Sequence, residues 1–121
     1  MIGQLHEPRP RDLLLGALAW AQAQSSPPLL YATANAATLA STQAALGVAE
    51  AGALVEHALA AIARGLVNAG TQRLVVAGGE TSGAVVQALD VHTLRIGAAI
   101  CPGVPWTQAV RGAGQGPLKL A

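Results

Sequence analysis

Val55, Leu59, Ile62 and Leu66 recur at i, i+4, i+7 and i+11, which puts four large apolar side chains on one stripe of a helix. The spacing predicts a helix over 48–69 that Gly70 caps, with Glu56 and Arg64 lying elsewhere around it. Glu50 and Glu56 fall in its first half, where the helix dipole favours negative charge. The next run, Arg73-Leu74-Val75-Val76-Ala77, is apolar without alternation and predicts a strand buried on both faces. Near the start, Leu14, Leu18 and Ala21 repeat at helical spacing with Asp12 as a candidate N-cap after Pro10, and Ser25-Ser26-Pro27-Pro28 ends that helix. Leu29 to Thr33 then has strand character. Strand, helix, strand in this order implies a parallel pair with a right-handed crossover, so the expected class is α/β, a single lobe over 1–121 with a mainly parallel sheet and flanking helices.

The remaining segments are less sharply patterned. Asn35 to Gly47 reads as a surface loop or a loose helical turn, and Ala84 to Leu89 as a short helix. Leu94-Arg95-Ile96 is a candidate strand, whereas Val104-Pro105-Trp106 is expected outside a sheet interior because Pro105 donates no hydrogen bond. Trp106 reads as a packing anchor for its loop ahead of a platform for adenine. The glycine-rich stretch from Arg111 to Pro117 is expected to be mobile.

Candidate chemistry concentrates where the apolar strand meets the next helix, at Gly78-Gly79-Glu80-Thr81-Ser82-Gly83. Glycines let the backbone approach an anion closely, and the first N–H groups of a helix lack intrahelical partners and carry partial positive charge. Thr81 and Ser82 add hydroxyl donors. The stretch matches neither the dinucleotide fingerprint nor the P-loop, and no Lys follows its last glycine. A carboxylate such as Glu80 repels bound phosphates unless a metal lies between or it points at a sugar hydroxyl; its plainer role is a favourable charge at a helix N-terminus.

The string GGETSGAVVQAL, with PGVPW from Pro102 to Trp106 after it, resembles the C-terminal nucleotide-binding domain of the four-carbon acid sugar kinase family, the 3-oxo-tetronate and related sugar-acid kinases. The likeness extends more loosely to Leu29-Leu30-Tyr31-Ala32-Thr33 and to the helix carrying Glu56. It implies an ATP-binding lobe, used with Mg²⁺, in which Gly78, Gly79, Glu80, Thr81 and Ser82 lie against the nucleotide phosphates. Family members continue past the PGVPW segment into a Lys-Ser-Gly-Asn-Phe-Gly stretch, and often carry acidic residues where this chain has Ala99 and Cys101. They also carry a substrate-binding N-terminal domain. The resemblance therefore implies a truncated lobe, inactive alone, that meets a four-carbon sugar acid only with such a domain.

Composition fits one lobe. The 121 residues are 52% hydrophobic and 2% aromatic, so the core must be built from Ala, Leu and Val, which favours a partner surface or a homo-oligomer. Seven basic residues against six acidic ones leave a formal charge of +1, and with so few aromatics a nucleic-acid partner is not expected. Cys101 is the single cysteine, which excludes an internal disulfide and fits a cytoplasmic protein. His6, His57 and His92 are scattered at no metal-ligand spacing. Arg9 and Arg11 before Leu13 to Trp20 imitate a secretory signal, but Glu7 and Asp12 interrupt the basic region and the apolar run is short. No run reaches the length of a membrane span.

No residue stands out as a catalytic base. The leading reading is the ATP-binding lobe of a sugar-acid kinase; the alternatives are a non-catalytic assembly module and a small-anion or nucleotide-binding protein using the same turn.

Overall fold

The structure, a computed structural model, describes residues 10–32 and 48–121. His6, Thr33 and the Asn35–Gly47 stretch lie outside the described residues. Helix α1 spans Pro10–Gln22, α2 Val48–Asn68 and α3 Gly79–Ala88; strands are β1 Arg73–Leu74, β2 Leu94–Cys101, β3 Val104–Ala109 and β4 Lys119–Leu120. The strands form one mixed sheet in the order β1-β4-β3-β2, with β1 and β4 parallel and the other two pairings antiparallel. The expected α/β class stands. The parallel partner of β1 is β4, however, and Leu29–Ala32 carries no strand. No helix among the described residues is long and apolar enough to cross a membrane.

Pro10 opens α1 as a first-turn residue whose missing N–H costs nothing there, so Asp12 sits inside the first turn rather than at the cap. The helix packs on α2 through Leu18, against which a Cβ on Gly65 would come within 2.7 Å. The predicted extent of α2 holds to one residue. Its end is closed by the Thr71 N–H donating to the Leu66 carbonyl (3.0 Å) and the Gly70 N–H to Val67 (3.1 Å), with Gly70 at φ 113°.

The buried face of α2 agrees with the predicted stripe only at Ile62, which is buried. Val55 is 41% exposed, Leu59 and Leu66 are half-buried, and Ala60, Ala63 and Val67 enter the core instead. Small residues win because α3 lies close against this face, where a larger side chain would hold the two helices apart. Leu118, 0% exposed, is the most buried residue of the core, which also holds Val85, Leu89, Val91, Ala109 and Leu120.

Two further expectations are corrected. Val75 is 68% exposed while Leu74 and Val76 pack on the core, so β1 is covered on one face only, and its continuous apolar run does not report two-sided burial. Val104-Pro105-Trp106 does lie in a strand: β4 pairs only with Thr107 and Gln108, so on that side Pro105 faces no strand that would need its N–H. The Arg111–Pro117 stretch, expected to be mobile, carries two hydrogen bonds of its own, the Arg111 Nη1 donation to the Gly116 carbonyl (2.9 Å) and the Gly112 N–H donation to Gln115 Oε1 (3.1 Å).

Candidate functional site

Helix α3 begins at Gly79, earlier than the sequence pattern suggests, so Glu80 to Gly83 are helical and the true turn shrinks to Ala77-Gly78. Gly78 holds φ 101° and ψ 133°, a conformation nearly reserved for glycine, and no side chain caps the helix. The Ser82 N–H donates to the Gly78 carbonyl at 2.9 Å. That leaves the N–H groups of Gly79, Glu80 and Thr81 without intrahelical acceptors, at the positive end of the helix dipole.

The surroundings leave room for an anion. A Cβ built on Gly79 would meet nothing within 4 Å, and Gly78, Gly79 and Glu80 are exposed. Thr81 and Ser82 are half-buried, with the Thr81 hydroxyl over Gly78, 3.8 Å from where its Cβ would be. The Ala121 N–H donates to the Leu74 carbonyl (3.1 Å) and the Val76 N–H to the Ala121 carbonyl (2.9 Å). The turn thus follows the carboxyl end of β1, beside its parallel neighbour, the position at which open α/β sheets gather ligands.

The structure adds one residue that the apolar periodicity placed off the buried stripe. Glu56, Ala60, Ala63 and Val67 stand at i, i+4, i+7 and i+11, so Glu56 continues the face of α2 that packs on α3 and reaches Glu80. A hydrogen bond between the two side chains raises the Glu56 pKa above its ordinary 4.5; partial desolvation and repulsion by Glu80 add to this, and His57 opposes it. The signal was in the sequence, carried by alanines rather than by large side chains.

Other singled-out residues lie apart from the turn. Tyr31 is exposed beyond α1, and Cys101 is exposed where β2 turns into β3. His92 pairs with Asp90 at 2.8 Å on the surface after α3. Trp106 is half-buried in β3. Among the described residues no three His, Cys, Asp or Glu side chains gather as a metal site.

Residues 4–121 match the family described as "Nucleotide-binding C-terminal domain". The chain is 59% identical over 105 residues to the 3-oxo-tetronate kinase of Cupriavidus necator, covering 87% of this chain and 24% of that protein. It is 55% identical over 105 residues to the 3-oxo-tetronate kinase of Pseudomonas fluorescens, with the same coverages of 87% and 24%. Among solved structures, one from Salmonella typhimurium LT2 superposes with a TM-score of 0.77 at 37% identity, over 93% of this chain and 27% of that one. A Haemophilus influenzae protein superposes with a TM-score of 0.71 at 34% identity, over 88% of this chain and 26% of that one. The chain spans about a quarter of the length of the curated relatives it matches.

Proposed function

The chain belongs to the nucleotide-binding C-terminal domain family of four-carbon acid sugar kinases, and from that premise we propose that it is the ATP-binding lobe of a sugar-acid kinase. The observation that carries the reading is the uncapped start of α3, where three free N–H groups open after the carboxyl end of β1. Gly79, Glu80 and Thr81 donate backbone N–H groups to the nucleotide phosphates, and the Thr81 and Ser82 hydroxyls add donors at the rim.

The residues fit the phosphates of ATP: open space at Gly79 admits a phosphate group, and a Mg²⁺ bound with the nucleotide would neutralise its charge and would be faced by Glu80 once the proton it shares with Glu56 is lost. Otherwise Glu80 would accept from a ribose hydroxyl, and the half-buried Thr81 and Ser82 hold the donors in place. Transfer to a hydroxyl of a four-carbon sugar acid requires a region that binds the acid, since the relatives named for that substrate are about four times as long as the matched part. Alone, the lobe binds nucleotide and turns nothing over.

Calorimetric titration of Mg-ATP into the whole chain, repeated with Gly79→Val, tests the reading. Saturable binding that the variant loses is expected, because a branched side chain would fill the space at the helix start. A folded wild-type chain that binds no Mg-ATP would overturn it. A second reading, a non-catalytic assembly module, draws on the exposed apolar residues of the sheet, Val75 and Ile96 (80% exposed) among them. Mass that rises with concentration and ignores nucleotide would favour it.

A further inference from the structure

The registers align one residue from each strand. Arg73 stands opposite Lys119, Lys119 opposite Gln108, and Gln108 opposite Arg95. The neighbours of Arg73, Lys119 and Gln108, namely Leu74, Leu120 and Ala109, pack in the core under the helices, so alternation puts these three on the uncovered face, and register with Gln108 puts Arg95 beside them in the wholly exposed β2. All four side chains are exposed, and among the described residues no carboxylate pairs with the three cations. Two like charges directly opposite, as at Arg73 and Lys119, oppose sheet formation and are relieved by an anion.

At the β2–β3 end of the row Arg95 and Gln108 line a cleft of about 250 Å³ together with Arg111, Gln115 and Gly116. Arg111 is anchored through Nη1 on the Gly116 carbonyl, and Gln115 is anchored through Oε1 on the Gly112 N–H, which leaves its amide NH₂ free. The Arg111 Nε is buried and meets no acceptor. A guanidinium held in place by one fork arm, beside a second Arg that no carboxylate pairs with, leaves donors for an anion in the cleft they both line.

We propose that this cleft binds a phosphate-type dianion, held between Arg95 and Arg111 with amide donors from Gln108 and Gln115, and drawn in by Lys119 and Arg73. Two guanidinium forks match the oxygens of a phosphate group better than a lysine pair would. The cleft is lined by residues of β2, β3 and the loop before β4, none of which belongs to the Gly78 turn that follows β1, so the two anion sites use different residues and stand or fall separately. The ligand is free phosphate or the phosphate group of a small metabolite.

The test is an NMR titration of the whole chain with inorganic phosphate, at constant ionic strength maintained with sodium chloride, following the arginine Nε–H and glutamine amide signals. Saturable shifts at Arg95, Arg111, Gln108 and Gln115 are expected. Arg95→Gln, a change at an exposed residue that leaves the fold intact, should weaken binding by about tenfold or more, and Arg73→Gln by about twofold because it acts only through the field. A parallel titration with glycerol 3-phosphate separates the sources: tighter binding assigns the cleft to a phosphorylated metabolite, and equal binding assigns it to free phosphate. No saturable shift up to about 50 mM phosphate, well above the Kd of a millimolar site, would overturn the proposal. So would shifts that Arg95→Gln leaves unchanged. Shifts confined to Gly78–Ser82 would also overturn it while leaving the nucleotide reading intact.

Discussion

The two faces of the sheet along β1, β3 and β4 are made by alternate residues of the same strands, yet they have opposite surroundings, while β2 is exposed along its whole length. On one face Leu74, Ala109, Leu118 and Leu120 pack under α2 and α3. On the other, Arg73, Lys119, Gln108 and Arg95 stand in one exposed row, with Val75 open to solvent beside it. The difference separates a face that packs the core from a face that keeps its charged side chains in solvent. A period-two alternation separates them, so adjacent positions in the chain should respond very differently to the same substitution.

Leu118→Ala should break the covered face most severely. Its side chain is wholly buried, so truncation should cost about 2–5 kcal/mol in urea unfolding, whereas Lys119→Ala next to it should change stability by less than about 0.5 kcal/mol. Equal effects at the two positions would show that β4 does not separate the faces as described. Gly78→Ala should come next, costing about 1–3 kcal/mol, because φ 101° with ψ 133° is strained for any residue with a Cβ. A neutral outcome would mean that the helix start relaxes, and with it the geometry of the free N–H groups.

Arg73→Glu sharpens the comparison on the open face. It turns a like-charge pair with Lys119 into an opposite-charge pair and should stabilise the fold by about 0.2–1 kcal/mol, while removing one cation from the row. Destabilisation would indicate that Arg73 is already satisfied by something other than the row. The subtlest effect concerns Glu56. Its folded pKa is raised, so the folded state holds this proton more tightly than the unfolded chain does. The associated stability is fully present below the ordinary 4.5 and is lost as pH rises through the raised value. Glu56→Gln, which donates to Glu80 at every pH, should therefore leave Tm nearly unchanged at acid pH and raise it near neutrality. A Tm difference that is the same at both ends of that range would remove the shared-proton account.

Much of the helical framework was legible in the chain. The limits of α2, its Gly70 cap and the helix after the Gly78-Gly79 pair follow from contacts within a few residues, which sequence spacing encodes directly. The site was legible in part: the glycine pair marks the turn, but Glu56 was hidden because the stripe that carries it consists of alanines. Strands were read least well. Leu118-Lys119-Leu120 alternates as a half-buried strand should, but three residues after a glycine-rich loop are too few to outweigh its composition. Pro105 misled for a related reason, since whether its missing donor matters depends on how far a neighbouring strand extends.

The sequence by itself determined the α/β class, the long second helix and the glycine-rich helix start, because each rests on local backbone preference and short-range hydrogen bonds. Its resemblance to sugar-acid kinase lobes likewise rested on contiguous motifs. Only the tertiary structure decided that β4 pairs with β1, that Glu56 meets Glu80, and that three cations line up across the open face. Those facts depend on strand partner and register, which join positions as much as forty-six residues apart, Arg73 to Lys119. A one-residue slip in register would send every one of those side chains to the other face.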